Sequence, residues 1–259
     1  LRRLRPQKPV RVLTSFAMFY DLESPAGFMR DVHDVLAEDG IWVFEQSYLP
    51  SMLDAHSYDT VCHEHLEYYA LGQIKWMTDR AGLSILDLEF NDVNGGSVSI
   101  VAAKTRLGTC ESPEVEKILA DERASGLDTL EPFRAFAFDA ARAREMFRDF
   151  LDQAKRDGKT VAALGASTKG NVVLQYCGVT RDDIAEIGEV NPDKFGALTP
   201  GTQLPIAPES EVLARNYDYY VVLPWHFRSH FLSNPVYAGR QLVFPLPKLQ
   251  VVKAEAVHS

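Results

Sequence analysis

Short apolar runs alternate with a helical segment near the start of the chain, and this alternation constrains the fold most strongly. Residues 10–19 form an apolar run typical of a buried parallel strand, and residues 41–44 form another. Between them, Ser24 and Pro25 suit the first positions of a helix that the pattern extends to residue 37. A strand–helix–strand unit of this kind predicts a parallel sheet with a right-handed connection.

Two further strands and a turn follow this unit. Residues 83–90 alternate between polar and apolar side chains, and residues 98–104 form a second extended run. Asn94, Gly95 and Gly96 lie between these runs and are typical of a hairpin turn. The pattern therefore predicts an antiparallel hairpin at the edge of the first sheet, after a helix over residues 72–81.

The same alternation returns in the second half of the chain. Four short apolar runs are predicted to be strands of a second open sheet: residues 160–164, 185–190, 219–223 and 242–245. Residues 108–113 are typical of a boundary, and long charged helices are predicted over 114–124 and 130–156. We therefore predict an α/β fold with two domains, residues 1–108 and residues 109–259.

Composition excludes several classes of function. The 259 residues carry a net charge of −9, which disfavours non-specific binding to nucleic acid. The three cysteines are widely spaced, as expected for a protein of the reducing cytoplasm, and no apolar run is long enough to cross a membrane. The chain has no initiator Met and enters a strand within about ten residues, so we expect the natural chain to be longer. The oligomeric state is left open.

Residues 58–69 concentrate the chemistry of the first half. They hold two histidines, three acids, one cysteine and three tyrosines, with His63, Glu64 and His65 consecutive. A carboxylate beside an imidazole can orient it as a general base near neutral pH. A tyrosine-rich packing loop is the alternative. A zinc site is a further alternative, but only His56 and Cys62 are near enough in sequence to join the pair, and no metal is predicted.

A second group of polar residues follows the strand at 160–164. Gly165 to Asn171 read Gly-Ala-Ser-Thr-Lys-Gly-Asn, so Ser167, Thr168 and Lys169 stand at a strand–helix junction. Backbone N–H groups, two hydroxyls and an ammonium together can bind a phosphate. A tight turn is the alternative. The order of residues matches neither a phosphate-binding loop of nucleotide hydrolases nor a Gly-x-Gly-x-x-Gly fingerprint.

As an ordered set, several motifs resemble the S-adenosylmethionine-dependent C-methyltransferases that act on nucleotide-linked keto-deoxysugars. The matching motifs are Cys62-His-Glu-His, Asn94-Gly-Gly-Ser, Gly165-Ala-Ser-Thr-Lys-Gly-Asn, Thr199-Pro-Gly-Thr and Leu223-Pro-Trp. The resemblance implies the second half of a class I methyltransferase-like sheet, followed by a Rossmann-like C-terminal domain. It also implies that zinc belongs only to an N-terminal domain outside this chain.

The resemblance also assigns roles to residues. It implies His65 as the base with Glu64 as its helper, and Ser15, Phe16 and Ala17 as cofactor contacts. The residues expected to bind the nucleotide sugar are Tyr20, His63, Asn94, Gly95, Ser167, Thr168 and Lys169. The tyrosines able to stabilise an enolate are Tyr20, Tyr48, Tyr68 and Tyr69, with no choice among them. The family often has Asn and His where this chain has Ala17 and Asp21, and Tyr where it has Cys62.

Two other functions stay open at this point. One is a nucleotide-sugar binding module without catalysis, because the glycine-rich loop that holds most of the cofactor is not in these residues. The other is a nicotinamide-dependent enzyme that uses the second sheet, although no Gly-x-Gly-x-x-Gly follows Leu164.

Overall fold

The structure, a computed structural model, describes residues 9–106 and 110–255. The described chain forms two compact units, the first from residues 9–54, 63–106 and 110–135 and the second from residues 55–62 and 136–255. The domain boundary predicted at residues 108–109 lies outside the described residues. No helix in the described ranges is both long and apolar enough to span a membrane.

The first unit contains a four-stranded sheet of order β1-β2-β4-β3. Its strands are β1 (Val10–Phe16), β2 (Leu36–Ser47), β3 (Leu83–Asn91) and β4 (Ser97–Lys104). β1 and β2 are parallel, whereas β4 is antiparallel to both of its neighbours. The predicted strand–helix–strand unit and the predicted hairpin are therefore both confirmed, and the hairpin lies at one edge of the sheet. The prediction that the first strand is buried was wrong, because β1 forms the other edge of this sheet and its residues are half-buried or exposed.

Four helices belong to the first unit. They are α1 (Pro25–Val35), α2 (Leu49–Asp54), α3 (Leu71–Arg80) and α4 (Pro113–Ala124). α1 ends two residues before the predicted position because Leu36 adopts an extended conformation and pairs with Val10. Aromatic side chains fill the core beside the sheet. Phe19 and Phe44 are fully buried, and their ring centroids lie 5.8 Å apart.

The second unit contains a six-stranded sheet of order β10-β9-β8-β5-β6-β7. Its strands are β5 (Val161–Leu164), β6 (Ile187–Glu189), β7 (Ile206–Pro208), β8 (Tyr219–Val222), β9 (Gln241–Phe244) and β10 (Gln250–Lys253). All pairs are parallel except β9 with β10. The strand order reverses between β5 and β8, and the carboxyl ends of strands at such a switch point are where α/β sheets bind ligands. The α/β prediction is confirmed.

Helices and connecting turns complete the second unit. They are α5 (Glu131–Arg156), which starts in the first unit's residues, α6 (Thr168–Tyr176), α7 (Glu209–Ala214) and α8 (Arg228–Ser233). The apolar pattern of α6 starts only at residue 172, but the helix begins at Thr168. It begins there because the Ser167 hydroxyl accepts the Gly170 N–H and caps the helix. β7 and β10, the two edge strands, were not predicted: β7 follows Pro205 and ends at Pro208, and β10 is largely exposed. Tyr58 joins the hydrophobic core of this unit.

Candidate active site

His65 lies against aromatic side chains at the carboxyl end of the first sheet. Its ring centroid is 4.5 Å from that of Tyr20 and 6.4 Å from that of Tyr68. The backbone N–H groups of Leu66 and Glu67 both donate to the Tyr20 carbonyl, at 3.0 and 3.2 Å. These bonds fix the segment after His65 to the turn that follows β1. We call Tyr20, Asp21, Glu64, His65 and Tyr68 the His65 cluster.

Two carboxylates belong to the His65 cluster. Burial raises the pKa of Asp21. The charge of Glu64 also raises this pKa, whereas His65 lowers it. Asp21 is therefore close enough to interact electrostatically with both His65 and Glu64. Glu64 and His63 are exposed, and His65 is half-buried. Within the described ranges no hydrogen bond or ion pair joins Glu64 to His65, so the structure brings Glu64 into the neighbourhood of the imidazole without a direct contact.

The three predicted cofactor contacts differ in what they offer. The Ser15 hydroxyl accepts the indole N–H of Trp42 at 3.0 Å, so this side chain is already used inside the unit. Phe16 is 54% exposed at the end of β1. Ala17 has a left-handed φ of 50°, which is uncommon for alanine, and its N–H donates to the Glu45 carbonyl at 2.9 Å. An exposed ring and a strained backbone at the carboxyl end of a strand fit a ligand edge.

The predicted Asn94-Gly95-Gly96 turn forms the end of the β3–β4 hairpin. Gly95 and Gly96 both have positive φ, at 91° and 124°. A Cβ on Gly96 would lie 2.4 Å from Cβ of Ser51, so the turn approaches α2 more closely than any other residue would allow. The side chain of Asn94 is outside what the structure describes, and its predicted contact with substrate stays a prediction.

The four candidate tyrosines are not equivalent. The Tyr48 hydroxyl donates to Glu122 at 2.6 Å, so its donor is already used. The Tyr69 hydroxyl is buried and has no hydrogen-bond partner among the described residues. Tyr69 also lines a cavity of about 540 Å³ whose walls include Pro25, Trp76 and Met77. Burial raises the pKa of Tyr69 to about 12. Tyr20 is buried directly against His65.

The second candidate site lies in the second unit, at the switch point between β5 and β8. Ser167 caps α6, Thr168 is exposed, and Lys169 is half-buried in the first turn of the helix. Gly165 has a φ of 83°, and a Cβ there would lie 2.6 Å from Cδ of Pro224. The loops after β5 and β8 therefore touch at this glycine.

Asp59 also lies at this site, although its sequence position is remote. It is only 1% exposed, and its Oδ2 accepts the indole N–H of Trp225 at 2.8 Å. Its Oδ1 has no hydrogen-bond partner in the structure. Burial lowers the pKa of Lys169, and the charges of Asp59 and Cys62 counteract that effect. The ammonium and the buried carboxylate are thus electrostatic neighbours.

His226 completes this arrangement, which we call the Lys169 cluster: Asp59, Cys62, Lys169, Trp225 and His226. Burial, reinforced by the Lys169 charge, lowers the pKa of His226 to about 4. The imidazole is therefore neutral at physiological pH, and its buried Nδ1 has no hydrogen-bond partner in the part of the chain that the structure describes. The Lys169 ammonium and the N–H groups at the N-terminus of α6 can bind an anion here, whereas the Asp59 carboxylate would repel one.

The acid at the end of β6 argues against a dinucleotide site. In dinucleotide-binding sheets a carboxylate in this region binds ribose hydroxyls. Here Glu189 instead accepts the N–H groups of Ala166, Val190 and Asn191, at 2.7 to 3.0 Å, and the Lys194 ammonium at 3.2 Å. Although burial acts to raise it, these donors hold the pKa of Glu189 below its usual range. The carboxylate is already satisfied by protein groups.

Sequence reasoning missed Asp59 and His226 as site residues. Asp59 precedes the His-Glu-His motif by a few residues, but nothing local shows that its segment packs with residues 136–259. The only available signal was its position between Tyr58 and Thr60, because an acid flanked by apolar and small residues is a candidate for burial. No group of three or more potential metal ligands is found in residues 9–106 and 110–255.

Comparison with known proteins gives two matches along the sequence. Residues 92–247 match the family described as the C-methyltransferase C-terminal domain. A curated relative, the C-methyltransferase NovU of Streptomyces niveus, is 32% identical over 236 residues. That alignment covers 87% of this chain but 56% of the relative, so the chain spans little more than half of the relative's length.

Solved structures give only distant likenesses. A methyltransferase from Bacillus halodurans aligns with 39% of this chain and 73% of its own, with 12% identity and a TM-score of 0.32. The CcbJ methyltransferase of Streptomyces caelestis aligns with 39% of this chain and 59% of its own, with 12% identity and a TM-score of 0.29. At these TM-scores the likenesses carry no argument about fold or function.

Proposed function

We propose a function for the enzyme that contains this chain, starting from the fact that the chain belongs to the family of the C-methyltransferase C-terminal domain. The enzyme methylates a carbon of a nucleotide-linked keto-deoxysugar. The methyl donor is S-adenosylmethionine, which when bound supplies an electrophilic methyl group. The observation that supports this reaction best is the His65 cluster. It holds a half-buried imidazole against a buried tyrosine at the ligand-binding end of a sheet.

His65 is the general base. The proton on the carbon beside the sugar carbonyl is acidified by that carbonyl, and His65 removes it while the electron pair moves towards the carbonyl oxygen. An imidazole has an ordinary pKa near 6.5, close enough to neutrality to accept a proton. Asp21 and Glu64 lie in its electrostatic surroundings and stabilise the imidazolium that forms. His63, which is exposed two residues earlier, is a substrate contact in this scheme.

A tyrosine stabilises the enolate oxygen. Tyr48 is excluded because its hydroxyl already donates to Glu122. Of the remaining three, we favour Tyr20, since its ring lies 4.5 Å from that of His65, closer than the ring of Tyr68 at 6.4 Å. A buried hydroxyl aimed at a developing oxyanion supplies electrostatic stabilisation without reorganisation.

The methyl donor is expected at the carboxyl end of β1. The exposed Phe16 ring and the strained Ala17 backbone fit such a ligand, and the Ser15 hydroxyl, which accepts the Trp42 N–H, can still donate its own proton. The hairpin turn with Asn94 and Gly95 supplies a further substrate contact. These residues align the reactants, which is the main requirement of methyl transfer.

The Lys169 cluster holds the diphosphate of the nucleotide sugar. Lys169 supplies charge, and Thr168 with the α6 N-terminus supplies hydrogen-bond donors. Ser167 uses its oxygen to cap the helix and keeps its own hydroxyl proton for a ligand. A binding module without catalysis shares this cluster, but it does not require a base such as His65.

One assay tests the proposal. The enzyme that contains this chain is incubated with S-adenosylmethionine carrying a ¹³C-labelled methyl group and with a nucleotide-linked keto-deoxysugar. We expect the label to appear as a carbon-bound methyl group in the sugar by NMR. Label on an oxygen, or binding of the nucleotide sugar without any transfer, would overturn C-methylation, and the second result would favour the binding module.

A further inference from the structure

The loop after β5 is bonded at its second residue to side chains of the loop after β6. Ala166 lies between Gly165 and Ser167, directly before the residues expected to bind a diphosphate. Its N–H donates to Oε2 of Glu189 at 3.0 Å, and its carbonyl accepts the Lys194 ammonium at 2.8 Å. Both polar groups of this one residue are therefore bonded to two side chains from the same neighbouring segment.

Glu189 and Lys194 also bond to each other. The Lys194 ammonium lies 3.2 Å from Oε2 of Glu189, the same oxygen that accepts the Ala166 N–H. The other carboxylate oxygen accepts the N–H groups of Val190 and Asn191, at 2.7 and 3.0 Å. The Glu189 side chain is 8% exposed, so the acidic half of this ion pair is fixed by burial and by three backbone donors.

The end of the strand ladder explains why a side chain is needed at this point. The last backbone hydrogen bond between β5 and the end of β6 is donated by the Gly165 N–H to the Gly188 carbonyl, at 2.8 Å. Ala166 lies one residue beyond this bond and is only 7% exposed. A buried N–H without an acceptor is costly, so the Glu189 carboxylate takes over from the strand as its partner.

We propose that the Glu189–Lys194 ion pair positions the diphosphate-binding loop. By fixing both polar groups of Ala166, the pair keeps the loop in the arrangement in which Ser167 caps α6. The role of the pair rests on the proposed diphosphate role of Lys169 and extends it to two residues of a neighbouring loop. Glu189 acts through Ala166 and does not touch the diphosphate, because two negative groups in contact would repel each other.

The experiment measures the affinity of this chain for thymidine diphosphate and uridine diphosphate by calorimetry at pH 7.5. Lys194 is 42% exposed, so Lys194→Met should fold while losing both of its hydrogen bonds. We expect its dissociation constant to rise about 5- to 30-fold, the equivalent of ordering one backbone residue again on binding. Lys194→Arg can still donate to the carboxylate and to the carbonyl, so it should recover most of the affinity. Lys155→Met, the same loss of charge at an exposed site of the same unit, should bind as the parent does.

Glu189→Gln separates positioning from charge, because the two effects have opposite signs. Removing a negative charge near the loop would by itself strengthen the binding of an anion. An amide, however, has one acceptor oxygen, whereas both carboxylate oxygens of Glu189 now accept backbone N–H groups. We therefore expect Glu189→Gln to bind the diphosphates more weakly than the parent.

Hydrogen exchange of the ligand-free chain separates positioning from a direct contact between Lys194 and the diphosphate. In Lys194→Met, Glu189 alone holds the Ala166 peptide, so the Ala166 amide should exchange faster than in the parent. A direct contact with the diphosphate would leave this ligand-free exchange unchanged. If Glu189→Gln does not fold, the affinity and the exchange of the Lys194 variants decide.

Four results would overturn the inference. If Lys169→Ala weakens binding but Lys194→Met binds as the parent does, the ion pair does not position the loop, and the proposed role of Lys169 stands. Tighter binding by a folded Glu189→Gln, or parental exchange at Ala166 in Lys194→Met, would show that the pair acts by charge or by direct contact instead. If the parent binds neither diphosphate, the proposed role of Lys169 fails and the inference fails with it.

Discussion

The carboxylate of Glu122 accepts a hydrogen bond of 2.6 Å from the Tyr48 hydroxyl and at the same time caps a helix. Its Oε1 accepts the Leu71 N–H at 2.6 Å, and its Oε2 accepts the Gly72 N–H at 2.9 Å. An acid on α4 therefore satisfies the first N–H groups of α3, where the helix dipole favours a negative charge. Burial and the Glu122 charge together raise the pKa of Tyr48.

Replacing Glu122 with alanine is expected to destabilise the first unit. The change leaves a buried tyrosine hydroxyl and two helix N–H groups without partners, which should cost about 2 to 4 kcal/mol. Hydrogen exchange should report the loss locally, as faster exchange at Leu71 and Gly72. Glu116→Ala on the exposed side of α4 is the matched control and should change the stability by less than about 0.5 kcal/mol. Equal effects of the two variants would contradict the capping role.

Gly165 and Gly178 offer a comparison between strain and close contact. Both have positive φ, at 83° and 61°, but a Cβ would meet Pro224 only at Gly165 and has open space at Gly178. Gly178→Ala should therefore cost about 1 kcal/mol for backbone strain alone. Gly165→Ala should cost about 2 to 4 kcal/mol, because it also forces apart the loops after β5 and β8. Similar urea midpoints for the two variants would show that the close contact between Gly165 and Pro224 does not affect stability.

His226 should make stability depend on pH in a defined window. Its pKa is about 4 in the folded chain, against an ordinary value near 6.5 when unfolded. The unfolded chain therefore binds the proton first, so this contribution is fully present above pH 6.5 and is lost as the pH falls towards 4. After allowance for solvent screening, we expect about 1 to 2 kcal/mol. Urea unfolding of His226→Gln should show a correspondingly smaller loss of unfolding free energy between pH 6.5 and 4. The exposed His230→Gln should lose as much stability over this window as the parent.

Lys169→Ala tests the diphosphate subsite. Loss of a charge-assisted contact is worth about 1 to 3 kcal/mol, so the dissociation constant for a nucleoside diphosphate should rise about 5- to 150-fold at pH 7.5. Lys155→Ala removes an equal charge from an exposed position of the same unit and should have little effect. An unchanged affinity in Lys169→Ala would remove the phosphate role.

Much of the fold was predictable because local patterns agree with it. The apolar runs that became β5 and β8 are buried parallel strands, and their hydrophobicity is visible without tertiary information. β1 was also predicted to be buried, but its residues are half-buried or exposed, and β2 alternates between buried and half-buried residues over 41–44. β7 and β10 were missed because proline is unfavourable in a strand pattern and ends β7, and because the largely exposed β10 lacks a continuous apolar run.

The site was less predictable, since its residues come together only in three dimensions. Lys169 and His65 were predicted as site residues because each lies in a dense local motif, and their roles stay predictions. Asp59 was missed because its partner Trp225 is 166 residues away in sequence, and residues 55–62 pack with the second unit rather than with their neighbours. The sequence also could not exclude Tyr48 as the enolate tyrosine, because that exclusion depends on Glu122, a residue on α4.

Hydrogen–deuterium exchange into the sugar tests the central claim most directly, because it isolates proton removal from methyl transfer. The complete enzyme is incubated in heavy water with the nucleotide-linked keto-deoxysugar and with S-adenosylhomocysteine, which fills the donor site without supplying a methyl group. We expect His65→Asn to slow exchange at the carbon beside the carbonyl by about 10² to 10⁴, with little change in sugar-nucleotide affinity. His63→Asn, the exposed neighbour, should retain most of the exchange. Exchange at the parental rate in His65→Asn would contradict the assignment of His65 as the base.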